Sequence, residues 1–591
     1  MNNWSGTAGK SRLFFRDGIF LSFKGGLEMN VIQAYAEAIS KQLQDVLSYE
    51  EVLKLIEKPK YQEQGDLAFP CFALAKRLRK SPAVIAQEMA SLIQGSLFEE
   101  VVAEGPYINC FLDKQEVSKH ILQTILAKES NYGSHNFGHG ATITIDFSSP
   151  NIAKPFSMGH LRSTVIGNAL AKIVEKCGYQ PLRINHLGDW GTQFGKLIVA
   201  YKLWGNEEAV RTNPITELLK LYVRFHDEAQ TSPQLEDEAR MWFKFLEEGN
   251  EEALNLWRWF REESLKEFSR IYSLLDVEFD SYHGEAFYND KMETTVVMLN
   301  EKNLLSTSEG AEVVDLSEQN LPPCLIKKSD GATLYATRDV TAAIYRQDHY
   351  HFAKAIYVVG HEQSLHFKQI FLVLEKMGYQ WAKDMVHIPF GFILKDGKKM
   401  STRKGKIVLL EEVMKEAIEL AKQNIELKNP SLTNKDDISK MVGVGAIIFH
   451  DLKNERLNNI EFSLEEMLKF EGTTGPYVQY THARACSILR KAKHTVEVET
   501  INGLSDSHSW SVVKLLKDFP ATIQRSMQQY EPSVIAKYVI ELSQEFNKYY
   551  SHVKVLHVDE EMSDRIALVR SVTIVLKEGL RLLGVKAPEE M

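Results

Sequence analysis

The sequence lacks a long hydrophobic run, since no stretch approaches the roughly 20 consecutive apolar residues that a membrane-spanning helix requires. It is also poor in cysteine, and the cysteines that it has are scattered without a C-x-x-C pair: Cys71, Cys110, Cys177, Cys324 and Cys486. This pattern argues against a disulfide framework and against a cysteine-rich zinc site, and it fits a reducing compartment. We therefore expect a cytoplasmic protein that uses no membrane and binds no zinc.

Positive charge is not in excess either, because 70 lysines and arginines stand against 79 aspartates and glutamates, a formal net charge of −9. Overall charge therefore gives no sign of a nucleic-acid partner, and such a partner would have to be bound through a local basic surface. The chain has no internal repeat and no low-complexity segment. Its 591 residues, 44% hydrophobic and 25% charged, are typical of a globular protein with several domains.

The first 28 residues are unlike the rest. Charged residues stand at both edges of the apolar segment 12–24 and within it, so the segment is a poor secretory signal. The stretch Lys24-Gly25-Gly26, shortly before Met29, can be read as a translated ribosome-binding site. Our hypothesis is that native translation starts at Met29 and that residues 1–28 are not native; the alternative is a genuine tail.

The remaining chain changes pattern twice, which predicts three domains. Residues 29–115 mix helical spacing with a strand-like alternation and predict a small α+β domain. Residues 116–435 predict a Rossmann-like domain with a helical insertion at about 201–290. Residues 436–591 keep i, i+3/i+4 apolar spacing and predict an all-α bundle.

A β-α-β unit supports the Rossmann-like assignment. Thr142–Phe147 alternates like a strand, His160–Cys177 has helical spacing, and Leu182–His186 is a second strand. Such a unit is the first half of a doubly wound parallel sheet, whose ligands bind beyond the carboxyl ends of the strands. Further strands are predicted at Glu312–Leu316, Cys324–Lys328, Ala355–Val359 and His387–Leu394.

Two short motifs suggest phosphate chemistry. Ser157-Met-Gly-His160 stands where the first strand hands over to a helix, and a helix N-terminus is a natural anion site. Lys399-Met-Ser-Thr-Arg403 follows a glycine- and lysine-rich stretch that is typical of a basic loop. Either motif alone is a common surface pattern, but both in this order form a strong signal. They resemble the HIGH and KMSKS signatures of class I aminoacyl-tRNA synthetases.

Longer segments make the resemblance specific to arginyl-tRNA synthetases. The similar segments are Phe147–Ser163, His186–Gly191, Tyr335–Asp339, Gly472–Arg484 and Leu583–Met591. The resemblance implies a ligase that activates L-arginine with ATP and Mg²⁺, forms arginyl-adenylate and transfers arginine to the terminal adenosine of tRNA(Arg). It also implies that bound tRNA is needed for activation, and we expect a monomer.

The resemblance also implies roles for individual residues. Those implied in catalysis are Lys154, His160, Lys399 and Ser401, and those implied in ATP binding are Ser157, Gly159, His160, His366, Lys399 and Met400. The implied arginine-binding residues are Asp146, Asn151, Tyr335, Asp339 and Gln363, with Tyr335 and Asp339 holding the guanidinium. The implied tRNA contacts are Asn109, Tyr477, Tyr480, Tyr549 and Met591.

The chain departs from the family pattern at three positions. Ser157 replaces the first motif histidine, and Thr402 replaces the second lysine of KMSKS. Arginyl enzymes that lack this second lysine often carry a lysine just before the first motif. The resemblance therefore implies that Lys154 compensates for Thr402. Asp146 stands where relatives often have glutamate, which shortens its reach by one methylene.

Other readings remain open at this stage. One is a class I synthetase of another specificity, such as the cysteinyl or glutamyl enzyme. A second is a non-catalytic paralogue that only binds tRNA or an amino acid, which Ser157 and Thr402 keep open. A third is a simple nucleotidylyltransferase, although that enzyme would not need the helical C-terminal domain.

Overall fold

The computed structural model describes residues 31–43, 46–154, 156–329, 335–400, 408–493 and 496–591. The hypothesis about residues 1–28 therefore concerns a segment outside the described residues. The chain divides into two compact units, one ending at Val117 and the other running from Ser118 to Met591.

The first unit is an α+β fold, as the sequence predicted. Its antiparallel sheet has the strand order β1-β3-β2. Its elements are α1 (Val31–Leu43), α2 (Tyr49–Leu55), β1 (Leu67–Pro70), α3 (Phe72–Leu78), α4 (Pro82–Ala90), β2 (Phe98–Glu104) and β3 (Tyr107–Leu112). The sequence determines where α4 starts. Ser81 caps the helix by accepting a hydrogen bond from the Val84 N–H, and Pro82 occupies the first turn.

The second unit begins with the β-α-β segment and a set of helices. In chain order these elements are α5 (Lys114–Lys128), β4 (Thr142–Asp146), α6 (Met158–Lys176), β5 (Gln180–Ile184), α7 (Gln193–Trp204), α8 (Glu207–Thr212), α9 (Pro214–Ala229), α10 (Gln234–Glu247) and α11 (Glu251–Leu275). Helices α8 to α11 lie within the range predicted for the helical insertion, about 201–290.

The chain then returns to mixed structure. The elements are α12 (Met292–Glu301), β6 (Leu305–Ser308), β7 (Ala311–Val314), β8 (Cys324–Lys327), α13 (Tyr335–Tyr350), β9 (Lys354–Val358), α14 (Ser364–Lys376), β10 (Met385–Ile388), β11 (Ile393–Lys395) and β12 (Lys398–Lys399). The remainder is almost entirely helical: α15 (Leu410–Lys428), α16 (Lys435–Leu452), β13 (Ile460–Glu461), α17 (Leu464–Met467), α18 (Gly475–Ala492), α19 (Ser507–Gln529), α20 (Ser533–His552) and α21 (Met562–Leu582).

The central sheet is parallel, with the order β10-β9-β4-β5. The chain builds β4 and β5 first and then crosses to the other side of β4 to add β9 and β10. The doubly wound fold is therefore confirmed, and the crossing leaves a switch point between β4 and β9 where ligands of such folds bind.

Strands β7 and β8 form near the predicted positions and pair antiparallel with each other in a separate sheet, β6-β7-β8. One strand prediction needs correction. The single strand predicted over His387–Leu394 is wrong, because β10 ends at Ile388 and β11 starts at Ile393. Pro389 has no N–H for a sheet ladder, and it follows β10 directly.

Helix α6 lies between the parallel sheet and the helical bundle, and residues all round it are buried. Gly167 allows this close packing, because a Cβ at that position would stand 2.2 Å from the Phe147 ring. Charged side chains on α6 pair with the bundle. The Arg162 Nε lies 3.1 Å from the Asp451 Oδ2 with both side chains at most 4% exposed, and the Lys176 Nζ lies 2.8 Å from the Glu578 Oε1.

Within the described ranges, no helix is long and apolar enough to cross a membrane.

Candidate active site

Ser163, on the second turn of α6, forms hydrogen bonds to the chain at the ends of both strands of the switch point. Its hydroxyl donates to the carbonyl oxygen of Val358 at the end of β9, at 2.7 Å, and accepts the N–H of Ser148 just after β4, at 2.9 Å. Ser148 and Ser149 both have positive φ, 70° and 45°, so the chain turns sharply as it leaves β4. The N-terminus of α6 is thereby fixed beside the carboxyl ends of both strands.

The helix tip carries the predicted phosphate-binding residues. The Nδ1 of His160 accepts the Ser157 N–H at 3.2 Å, so in the neutral ring the proton is on Nε2. Burial lowers the pKa of His160 to about 4, and the charge of Lys154 adds to this shift. His160 is therefore neutral at pH 7 and offers an Nε2–H donor.

Gly159 is exposed at this tip, and packing does not require a glycine there. A Cβ at Gly159 would meet only the Ser157 Oγ, at 3.4 Å. A glycine with open space beside it at a helix N-terminus allows close approach of a ligand to the backbone.

The second motif is anchored at both ends. The hairpin β11–β12 turns at Asp396 and Gly397, both with positive φ, and the Met400 N–H donates to the Ile393 carbonyl oxygen at 3.1 Å. After residues 401–407, which lie outside the described ranges and include Ser401 and Thr402, the Val408 carbonyl oxygen accepts the Met158 N–H at 3.2 Å. The motif therefore begins at Lys399 on this hairpin, and the chain returns at the tip of α6.

Asp339 lies on α13 and interacts with two histidines. Its Oδ2 is 2.5 Å from the Nε2 of His366, and its Oδ1 is 4.0 Å from the Nε2 of His186. Burial raises the pKa of Asp339, but the hydrogen bond from His366 and the charges of His366, His186 and Arg346 outweigh it and give a net lowering. Asp339 is thus an ionised carboxylate, and its side chain is 29% exposed. It is available to a cation from solution.

The other predicted arginine contacts lie on α13, just before α14 and after β4. Tyr335 is one helical turn before it and 63% exposed, and Gln363 is exposed just before α14, three residues ahead of His366. Asn151 is also exposed. It lies in the loop after β4, and its backbone pairs with that of Gly188. The resemblance implied that His366 binds ATP, but in the structure its ring contacts the carboxylate of Asp339.

Asp146 has a partner that the sequence did not predict. Its Oδ2 is 2.8 Å from the Nη2 of Arg346, and its Oδ1 accepts the Ser149 hydroxyl at 3.0 Å. Lys154, predicted to compensate for Thr402, is half-buried with its Nζ 6.0 Å from the centre of the Tyr222 ring, and its charge acts on His160.

Sequence reasoning missed Glu285, a carboxylate beside Asp339. Burial raises the pKa of Glu285 to about 7; Arg338, 3.9 Å away, opposes the shift, and the charges of Asp339 and Asp189 add to it. The signal was in the segment His186–Gly191, since Asp189 accepts the Ala286 N–H at 2.9 Å and so holds the turn that carries Glu285.

The helical domain contains a cavity of about 850 Å³. Its lining includes the predicted Tyr480 and Met591 together with the basic residues Arg484, Arg490, Lys491 and Lys554. The Arg484 guanidinium lies over both Tyr480, at 4.8 Å, and Tyr550, at 5.8 Å. This is a local basic and aromatic surface on an acidic protein, of the kind that single-stranded nucleic acid favours.

Three predicted tRNA contacts are less accessible than the sequence suggested: two side chains are buried and one is half-buried. Tyr549 is fully buried, and the neighbouring Tyr550 is the exposed member of the pair, at 43%. Asn109 is only 3% exposed, and its amide donates to the Glu104 Oε2 at 2.8 Å, so its side chain is not on the surface. Tyr477 is half-buried, and its hydroxyl accepts from Asn547 at 3.1 Å.

Family models match three parts of the chain. The model for the catalytic domain of class I tRNA synthetases (R) matches residues 121–464, that for the DALR anticodon binding domain matches 478–591, and that for the arginyl tRNA synthetase N terminal domain matches 33–112.

Individual proteins match over almost the whole chain. Arginine–tRNA ligase 2 of Bacillus anthracis is 63% identical over 94% of this chain and 99% of its own length, and arginine–tRNA ligase of Enterococcus faecalis is 60% identical over 95% and 100%. Among solved structures, the arginyl-tRNA synthetase of Thermus thermophilus has a TM-score of 0.77 at 25% identity, over 95% of this chain and all of that chain.

The two glycines of α6 give a matched test of the helix tip. Gly159→Ala should leave the melting temperature unchanged but raise the KM for ATP on the order of tenfold, the loss of about one hydrogen bond. Gly167→Ala should instead destabilise the fold by about 1–3 kcal/mol, because its Cβ overlaps the Phe147 ring. Thermal unfolding and steady-state kinetics measure both; an unchanged KM in a stable Gly159→Ala variant would place the nucleotide elsewhere.

Proposed function

Because this chain belongs to the class I arginyl-tRNA synthetase family, we propose that the crevice between β4 and β9 is where it activates arginine. The chain is an ATP-dependent ligase that activates arginine and charges tRNA. One observation carries the assignment to this crevice: the ionised carboxylate of Asp339 lies at the same edge of the sheet as the neutral Nε2–H of His160. The alternatives of another specificity or a binding-only paralogue are not favoured.

The arginine side chain is proposed to lie between Asp339 and Tyr335, with Gln363 at the rim. A guanidinium is a planar fork that pairs with carboxylate oxygens in its plane, which a lysine ammonium cannot do. Glu285 supplies a second carboxylate near Asp339, and entry of a guanidinium favours its ionised form. Asn151 is proposed to contact the other end of the substrate.

The nucleotide is proposed to lie at the tip of α6. The His160 Nε2–H donates to a phosphate oxygen, Gly159 admits the phosphate to the backbone, and Ser157 adds a hydroxyl. Lys399 and Met400 begin the segment that continues through Ser401 and returns to this tip, and His366 remains a predicted contact. The described residues form no cluster of three or more potential metal ligands, so Mg²⁺ is proposed to arrive on the phosphates of ATP.

The chemistry follows from this placement. A carboxylate oxygen of arginine attacks the α-phosphorus in line, and the bond to the β-phosphate breaks to release pyrophosphate. Lys154 and Lys399 are proposed to stabilise the negative charge that develops, and the rest of the site contributes position. The terminal adenosine hydroxyl of tRNA then attacks the activated carbonyl and displaces AMP.

The cavity lined by Tyr480, Arg484 and Met591 is proposed as the anticodon contact. Exposed aromatic rings can stack on splayed bases while cations contact the backbone. The domain limits 29–115, 116–435 and 436–591, a monomeric state and a cytoplasmic location are likewise proposals from the sequence.

The function is tested by ATP–pyrophosphate exchange. We expect exchange with arginine only when tRNA(Arg) is present. Asp339→Asn should raise the KM for arginine roughly 100-fold or more, because it removes the charge that pairs with the guanidinium. Asp348→Asn, on the exposed face of the same helix, should behave like the wild type. Exchange with cysteine or glutamate would redirect the specificity, and exchange without tRNA would remove only the tRNA requirement.

The raised pKa of Glu285 predicts a pH dependence. Because its pKa is about 7, the carboxylate is largely ionised at pH 8 and largely protonated at pH 6, so the KM for arginine should rise about tenfold on acidification. Glu285→Gln should show the high KM at both values. A wild-type pH profile that persists in Glu285→Gln would assign the titration to another group.

Two tyrosines test the anticodon surface. Tyr480→Ala should raise the KM for tRNA(Arg) about tenfold, since stacking on one base contributes about 1–3 kcal/mol. Tyr480→Phe, which keeps the ring, and Tyr549→Phe, at a buried position, should leave that KM unchanged. Aminoacylation at varied tRNA concentration measures these values; equal KM values for Tyr480→Ala and wild type would exclude Tyr480 from the contact.

A further inference from the structure

Two helices of the insertion contact Lys154, one of the cations that the proposed chemistry requires. Lys154 lies in the loop between β4 and α6, and its charge contributes to the lowered pKa of His160 at the helix tip. Helix α11 contacts the backbone of this loop, and α9 contacts the ammonium. The chemistry proposed above uses no residue of either helix.

Ser264 on α11 holds the backbone just before Lys154. Its hydroxyl accepts the Ala153 N–H at 3.1 Å and donates to the Phe260 carbonyl oxygen at 2.7 Å, and its side chain is fully buried. Ala153 has a φ of 58°, a left-handed conformation that is strained for alanine and persists only where the surrounding structure enforces it. This hydrogen bond therefore helps to fix the point at which the Lys154 side chain leaves the backbone.

The ammonium of Lys154 lies near an aromatic ring rather than a carboxylate. Its Nζ is 6.0 Å from the centre of the Tyr222 ring on α9, and no carboxylate among the residues that the structure describes forms an ion pair with it. A ring attracts a cation through its quadrupole and leaves the positive charge uncompensated. Lys196, by contrast, is paired with Glu236 at 2.7 Å. The charge of Lys154 therefore remains available to a phosphate.

His226 supports the ring of Tyr222 from the next turn of α9. The two ring centres are 4.6 Å apart and the ring planes are at 75° to each other. Burial lowers the pKa of His226, and the charges of Lys196 and Lys154 add to this shift. His226 is therefore largely neutral at pH 7 and does not repel the ammonium of Lys154.

We propose that Ser264 and Tyr222 are positioning residues through which the helical insertion holds Lys154 at the tip of α6, with its charge free for the phosphate. The inference rests on the proposed role of Lys154 in the transition state. A group that stabilises a transition state must be in place before that state forms, and a displacement of about 1 Å can lower a rate about 100-fold.

The experiment measures kcat and the KM values for ATP and arginine in pyrophosphate exchange, with tRNA(Arg) present. The variants are Ser264→Ala and Tyr222→Leu, each alone and combined with Lys154→Met. Ser543→Ala is the matched control for Ser264→Ala. Ser543 on α20 is also fully buried and donates to the carbonyl oxygen four residues before it, at 2.7 Å. Tyr222→Phe keeps the ring and is the control for Tyr222→Leu.

We expect Ser264→Ala and Tyr222→Leu each to lower kcat on the order of tenfold and to leave the KM for arginine within about twofold of the wild type. Ser543→Ala should lower the melting temperature as much as Ser264→Ala does but keep the wild-type kcat, and Tyr222→Phe should also keep it. Lys154→Met should lower kcat about 100-fold. In that background neither positioning variant should lower kcat further, because effects that pass through one residue are not additive.

Wild-type kcat in both positioning variants would overturn the inference, and so would the same further loss of kcat in the Lys154→Met background. Tyr222 is only half-buried, so Tyr222→Leu gives the measurement even if Ser264→Ala does not fold. The proposed role of Lys154 is contradicted by a different result, a wild-type kcat in Lys154→Met itself.

Discussion

The buried pair of Arg162 and Asp451 fixes the helix on which the proposed nucleotide site depends. Both side chains are at most 4% exposed, and the Arg162 Nη1 also donates to the Asn458 carbonyl oxygen at 2.8 Å. Removing one member of such a pair costs roughly 3–5 kcal/mol. The pair of Lys176 and Glu578 secures the other end of α6, so the helix tip is held relative to both the sheet and the bundle.

The bundle also holds the hairpin that leads into the second motif. Strand β13, which follows α16, pairs in parallel with β11 through Ile393–Ile460 and Leu394–Glu461. Arg456 links the same region to the α19–α20 turn, since it donates to the carbonyl oxygens of Tyr530 and Pro389. Both segments that are proposed to bind phosphate are therefore attached to the domain that carries the proposed anticodon surface. This attachment gives the proposed tRNA requirement a physical connection through packed, hydrogen-bonded residues.

Residue spacing in the sequence predicted the features that depend on near neighbours in the chain, namely strands, helices and which residues share a helix face. Alternation located β4, helical spacing located α6, and the interval between Tyr335 and Asp339 placed them on one face of α13. Arg346 and Glu285 were missed because the carboxylates beside them, Asp146 and Asp339, come from elements distant in the sequence. Helical spacing could have excluded Tyr549 as a tRNA contact, because Tyr549 follows Leu542 and Phe546 at intervals of three and four residues on the buried face of α20.

Charge balance explains how the proposed crevice could accept both a cationic side chain and an anionic nucleotide. Asp146 and Arg346 neutralise each other, so the net attraction for a guanidinium comes from Asp339 and from Glu285, whose pKa of about 7 lets a bound cation complete its ionisation. At the helix tip, burial keeps His160 neutral, so phosphate meets an oriented hydrogen-bond donor and the helix N-terminus rather than a fixed imidazolium. In the proposed mechanism, the positive charge needed in the transition state comes from Lys154 and from the segment that starts at Lys399. Such charge lowers the barrier only to the extent that it binds the transition state more tightly than the ground-state phosphates.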